Sequence, residues 1–139
     1  MPIALLVDDD ADFRSVLGEV LEGEGYWIVE AANGREAIRV LNSLRPDVIL
    51  IDLLMPVMNG WSLFAAIEDR PELRTVPVVF LSALPHMAPG GGSLILKKPL
   101  DLPALMKLLD ALGPGSSPSE MRLKAAPRTA PAYRLRGGR

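Results

Sequence analysis

The chain opens on Ile3-Ala-Leu-Leu-Val7, five apolar residues stopped at once by Asp8, Asp9 and Asp10. A short continuous apolar run of this kind fits a strand buried on both faces. The period then changes: Phe13, Val16, Leu17, Val20 and Leu21 fall on one face of a helix. Asp12 is its expected N-cap, and Gly23 and Gly25 end it. Residues 26–31 read as a second strand, Asn33-Gly34 as a turn, and residues 35–44 as a helix with Ala37, Ile38, Leu41 and Leu44 inward, broken by Pro46. Residues 48–51 form the most apolar strand, running into Asp52. Residues 61–69 predict a third helix with Trp61, Leu63, Phe64 and Ile67 apolar, and residues 76–81 a fourth strand. Residues 93–96 predict a fifth strand, and residues 101–112 a closing helix capped by Asp101, with Pro103 in its first turn.

Strands alternating with helices, the strands apolar on both sides, imply a parallel sheet covered on both faces. The expected fold is α/β, a flavodoxin-like doubly wound sheet of five parallel strands in the order 2-1-3-4-5. One element is short. Between Ser82 and the fifth strand lie ten residues that include Pro85, Pro89 and Gly90-Gly91-Gly92. An average helix takes about 11–12 residues, so the fourth helix of the alternation is expected to be a single turn or absent. No internal repeat is present. Residues 1–112 are expected to form the domain. Residues 113–139, rich in Gly, Pro, Ser, Ala and Arg without an apolar period, read as a flexible basic tail or as an end left by truncation.

Composition narrows the chemistry. At 139 residues, 49% hydrophobic and 23% charged, the chain is one ordinary globular domain. It has no cysteine, which removes disulfides, thiolate catalysis and Cys-ligated metal. No apolar stretch approaches the roughly 20 residues a membrane helix needs, and no signal peptide is recognisable. A cytoplasmic protein with no membrane partner is expected. The net charge of −2 conceals an asymmetry: residues 1–112 carry −7 and residues 113–139 carry +5. An acidic body is not expected to bind nucleic acid directly.

In an open parallel sheet, ligands bind outside the carboxyl ends of the strands, where strand order reverses. Asp8 and Asp9 follow strand one, Asp52 ends strand three, Ser82 follows strand four and Lys98 follows strand five. If strands one and three are neighbours, three carboxylates meet at one edge, flanked by a hydroxyl and an ammonium. Crowded carboxylates raise each other's pKa. A hard cation with oxygen ligands relieves this, and magnesium is the natural occupant.

These pieces resemble the response-regulator receiver family of two-component signalling. The matching runs are Leu5-Leu-Val-Asp-Asp-Asp-Ala-Asp-Phe-Arg14, Pro46-Asp-Val-Ile-Leu-Ile-Asp-Leu-Leu-Met-Pro-Val-Met-Asn-Gly60, residues 76–83 and Lys97-Lys98-Pro99. The resemblance covers residues 3–112. It implies that Asp52 accepts a phosphoryl group; the chemistry agrees, since a carboxylate with an ordinary pKa near 4 is ionised at neutral pH and can attack phosphorus. It also implies that Asp8, Asp9, Asp52 and the Leu54 carbonyl hold Mg²⁺, that Ser82 binds phosphoryl oxygens, and that Lys98 pairs with Asp52 or its phosphate. A cis peptide before Pro99 would aim Lys98 inward. The implied donor is a histidine kinase or histidine phosphotransfer protein, and the implied output is a shape change read by a downstream protein. The chain is expected to be a switch and not an enzyme.

Taken singly, each piece has a plainer reading: an acidic turn at Asp8–Asp10, a loop residue at Asp52, a strand-end hydroxyl at Ser82, surface lysines at Lys97 and Lys98. His86 reads as an exposed loop residue, Gly90–Gly92 as a linker, and Trp27 and Trp61 as packing groups. Two departures from the family stand out. Ile95 occupies the aromatic switch position three residues before Lys98, and the reduced fourth helix removes part of an output face. They motivate the alternative, a phosphorylation-independent pseudo-receiver acting as a protein-interaction module. An aspartyl-phosphate hydrolase of the haloacid dehalogenase kind would need an Asp where Leu54 stands. No output domain is recognisable after residue 112. The resemblance also implies that the positions two residues beyond Asp52 and Ser82 flank the route of the hydrolytic water; here they are Leu54 and Leu84, which are expected to exclude it and prolong the phosphorylated state.

Overall fold

A computed structural model describes residues 1–83, 94–112 and 136–137. The expected shortening of the fourth helix, His86, Leu84 and Gly90–Gly92 fall outside the described residues, as does all of the basic segment except Arg136 and Gly137.

Five parallel strands, β1 (Ile3–Val7), β2 (Trp27–Ala31), β3 (Val48–Asp52), β4 (Val78–Ser82) and β5 (Leu94–Lys97), lie in the order β2-β1-β3-β4-β5. The helices are α1 (Ala11–Gly23), α2 (Gly34–Leu41), α3 (Gly60–Glu68) and α4 (Leu102–Leu112). This is the flavodoxin-like doubly wound sheet that the alternation of apolar runs implies. Alternate side chains of each strand feed separate layers, as the pleat requires. Leu5, Val7, Ile49, Ile51 and Phe80 pack with Ala37, Leu41, Leu63 and Ile67 of α2 and α3. Ala4, Leu6, Leu50, Val79 and Leu81 pack with Leu17 and Leu21 of α1 and Leu105 and Leu109 of α4. Every residue of β3 is buried, which explains its unbroken apolar run.

The structure departs from the sequence pattern in several places. Asn33-Gly34, read as a turn, starts α2 instead: Asn33 caps it by accepting the Glu36 N–H at 3.0 Å, and Gly34 is its first residue. Asp10, not Asp12, caps α1, its side chain accepting from the Phe13 N–H at 3.1 Å. Asp12 lies in the first turn, where a carboxylate favours the positive helix end. Val16 faces outward, 61% exposed, because the buried stripe of α1 is set by Leu17, Gly18 and Leu21. The second helix ends at Leu41, although the N–H groups of Ser43 and Leu44 still reach the Val40 carbonyl in a tightened last turn. A 3-10 turn at Pro71–Leu73 carries the chain from α3 to β4. Finally, β6 (Arg136–Gly137) pairs antiparallel with Trp27 and Ile28 of β2. Backbone pairing at a sheet edge needs no apolar period, so the composition of residues 113–139 carried no sign of it.

Candidate functional site

Strands β1 and β3 are hydrogen-bonded neighbours, with Val7 opposite Ile51. Asp8 and Asp9 leave the end of β1 beside Asp52 at the end of β3. One ligand atom from each of the three carboxylates lies within 4.8 Å of the others. Asp8 and Asp52 are buried and Asp9 is exposed, so the cluster opens to solvent on one side. Ser82 closes β4 as a buried residue. Its carbonyl accepts the Lys98 N–H at 2.8 Å, which ties the end of β5 to β4. The Lys98–Pro99 peptide is cis, as expected.

The ammonium of Lys98 makes its short ion pair with Asp8, at 2.8 Å, and stands 3.8 Å from Asp52. The expected pairing of Lys98 with Asp52 or its phosphate is present as the longer of the two contacts. The hydrogen bond to Asp8 is the partner that the sequence did not suggest. Lys97, on the same strand end, is exposed.

Asp52 does not keep an ordinary carboxylate pKa. Burial pushes it up to about 6, and the charges of Asp8 and Asp9 add to the rise. Lys98 and the Leu54 N–H, which donates to the carboxylate, work in the opposite direction. The expectation of a value near 4 is therefore corrected upward. Roughly nine-tenths of the groups are still ionised at pH 7, so Asp52 retains its nucleophilic form. Three carboxylates facing one ammonium leave an uncompensated double negative charge. That all-oxygen donor set fits a hard divalent cation.

Several supporting residues had no role assignable from the sequence. Arg14 pairs with Glu30 of β2 at 3.0 Å and donates a second bond to the Asp8 carbonyl, fixing the chain where β1 turns into α1. Asp8 also accepts the Asp10 N–H at 2.9 Å. The ring of Phe13 lies under the Lys98 ammonium, 4.2 Å from nitrogen to ring centroid. Gly60 lets α3 approach β3: a Cβ there would stand 2.7 Å from the Asp52 carbonyl oxygen and 2.8 Å from Leu53 Cα. Gly34 does the same against Met58. Between these clamps, the Met58 N–H bonds to the Pro56 carbonyl at 2.7 Å around Val57, whose φ is +69°. A β-branched residue in that region is strained. Arg14 and Gly60 lay within the matching runs, but their partners are distant in sequence or are backbone atoms. No spacing rule finds such contacts.

The remaining expected positions are placed as follows. Leu54 follows β3 with a half-exposed side chain. Ile95 lies on the edge strand β5, 39% exposed, in register with Phe80. Trp61 is partly buried against the α2–α3 layer, as a packing residue should be. Among the described residues, no helix is long and apolar enough to cross a membrane.

Comparison with known proteins agrees with this geometry. Residues 4–110 match the model of the response regulator receiver domain. The chain is 38% identical over 122 residues to the transcriptional regulatory protein GlrR of Escherichia coli, a match over 83% of this chain and 27% of that relative. The chain thus spans about a quarter of that curated relative's length. Among solved structures, it resembles the signal receiver domain of a histidine kinase from Syntrophus aciditrophicus. There the TM-score is 0.75 at 31% identity, over 84% of this chain and 93% of that one. It also resembles the receiver domain of the sensor histidine kinase PA1611 from Pseudomonas aeruginosa, described with a magnesium ion coordinated in its active-site cleft. That match has a TM-score of 0.73 at 28% identity, over 80% and 96% of the two chains. The chain belongs to the response regulator receiver domain family.

Proposed function

We propose that Asp52 accepts a phosphoryl group from a phosphohistidine on a histidine kinase or phosphotransfer protein, with Mg²⁺ held by Asp8, Asp9, Asp52 and the Leu54 carbonyl. The observation that carries this reading is the meeting of three carboxylates and Lys98 at the junction of β1 and β3. A carboxylate oxygen of Asp52 forms the new O–P bond as the P–N bond of the donor breaks. The electron pair leaves on the imidazole nitrogen, which takes a proton. Little acid–base help is needed, because the transition state asks mainly for positioning and charge stabilisation. Lys98 stands close enough to turn from Asp8 to the incoming phosphoryl oxygens, and the Ser82 hydroxyl is assigned to another of them. When bound, magnesium neutralises charge on the phosphoryl group. The receiver named above as magnesium-bound supports the choice of cation.

The output is a shape change passed to a downstream protein in the cytoplasm. Ile95 is the described residue that speaks for the phosphorylation-independent alternative; the convergence of Asp8, Asp9, Asp52 and Lys98 outweighs it. Incubation with magnesium and acetyl phosphate tests the proposal. Wild type is expected to gain one acid-stable, base-labile phosphate, lost in Asp52→Asn and reduced in Lys98→Ala. Phosphate mapped to Ser82 by mass spectrometry would refute the mechanism.

A further inference from the structure

We propose that Phe13 is a positioning residue that acts through Lys98, resting on the phosphoacceptor reading of Asp52 and adding a residue to it. Among the described residues, the Lys98 ammonium meets Asp8 at 2.8 Å, Asp52 at 3.8 Å and the face of the Phe13 ring at 4.2 Å from its centroid. Lysine is a compact charge on a flexible four-carbon stem, so ion pairs alone leave its head several positions. The ring face attracts a cation through its quadrupole. Unlike a carboxylate, it offers no lone pair to a hard metal and does not compete with a phosphoryl group for hydrogen bonds. It therefore confines the ammonium without binding it strongly, and the head can pivot from Asp8 toward Asp52 while staying over the ring.

The ring is itself held firmly. Phe13 stands in the first turn of α1, its N–H taken by the Asp10 cap, and its side chain packs against the layer containing Leu17 and Leu21. Its neighbour Arg14 fixes the Asp8 carbonyl. Adjacent residues of one helical turn thus fix the Asp8 backbone and the place of the lysine head that pairs with it.

The test is a cycle of four proteins: wild type, Phe13→Leu, Lys98→Ala and the double variant, each labelled by acetyl phosphate with saturating magnesium. Phe13→Leu is expected to slow labelling roughly two- to tenfold, the range a cation–ring contact supplies. It should add no slowing in the Lys98→Ala background, and Phe13→Tyr should restore the rate. Equal slowing in both backgrounds would show that the ring serves packing alone and would overturn the proposal, as would an unchanged rate in Phe13→Leu. A second readout is independent of chemistry. The Lys98 methylene protons nearest the ammonium should be shifted upfield by the ring in wild type, and this shift should vanish in Phe13→Leu. If wild type takes no phosphate at all, the phosphoacceptor reading fails. The nuclear magnetic resonance signal then decides the placement of Lys98, with an unchanged spectrum overturning it.

Discussion

Asp52 occupies a position that suits chemistry and works against folding. Its carboxyl titrates near 6 in the folded protein against 3.8 for a free side chain. Between those values the folded chain holds a proton that the unfolded chain has lost. The contribution to stability is therefore complete below about pH 4 and is lost as pH rises through 6. In protein stripped of divalent cation, Asp52→Asn should raise unfolding stability at pH 7.5 by about 1–3 kcal/mol. The gain should disappear near pH 4; a constant gain across that range in denaturant titrations would refute the electrostatic account. Leu54 raises a separate issue. Its half-exposed side chain cannot orient a water, so Leu54→Asn should speed phosphate loss from the labelled protein roughly tenfold, about 1.4 kcal/mol. Direct release assays check this, and equal rates would show that this side chain does not set the lifetime. The convergence of Asp8, Asp9, Asp52, Ser82 and Lys98 at one sheet edge was legible because each lies within two residues of the end of an apolar run. Phe13, Glu30 and the Asp8 partner of Lys98 were not, because their roles exist only once distant strands meet.

At the scale of elements, the periodicity located each strand and helix to within a few residues, and the ends were decided by hydrogen bonds. Asp10 captured the α1 cap because its side chain reaches the Phe13 N–H from an extended backbone. The outward turn of Val16 was hidden because a leucine and a glycine define the buried stripe beside it. The loop from β3 to α3 depends on close backbone approach. The Gly60 N–H bonds to the Leu53 carbonyl at 3.0 Å, and there is no room for a Cβ against the strand. Gly60→Ala should therefore push α3 away from β3, at a cost of about 1–3 kcal/mol as overpacking against an unyielding neighbour does. Since Asp52 supplies one of the clashing atoms, labelling should fall as well. The outcome that would count against this is a variant with wild-type melting and wild-type labelling. Gly34→Ala would meet the Met58 carbonyl oxygen at 2.7 Å as well as the root of its side chain, so a comparable loss of stability is expected there.

For the whole molecule, the doubly wound order follows from strands that are apolar on both faces, and the site follows from the reversal between β1 and β3. What sequence could not supply was the pairing of Arg136–Gly137 with β2, since an edge strand is chosen by open backbone groups and not by side chains. The carboxylate cluster has one more consequence, in mass action. Any ion that binds these oxygens in the folded protein and ignores the unfolded chain shifts the balance between the two by RT ln(1 + [L]/Kd), about 2.7 kcal/mol at a hundred times Kd. Magnesium should accordingly raise the melting temperature of wild type by several degrees, in proportion to the logarithm of its concentration. The rise should be largely absent in Asp52→Ala, and equal rises in both would place the ion elsewhere. The folded population would then track the divalent ion supply of its surroundings, before any signal arrives.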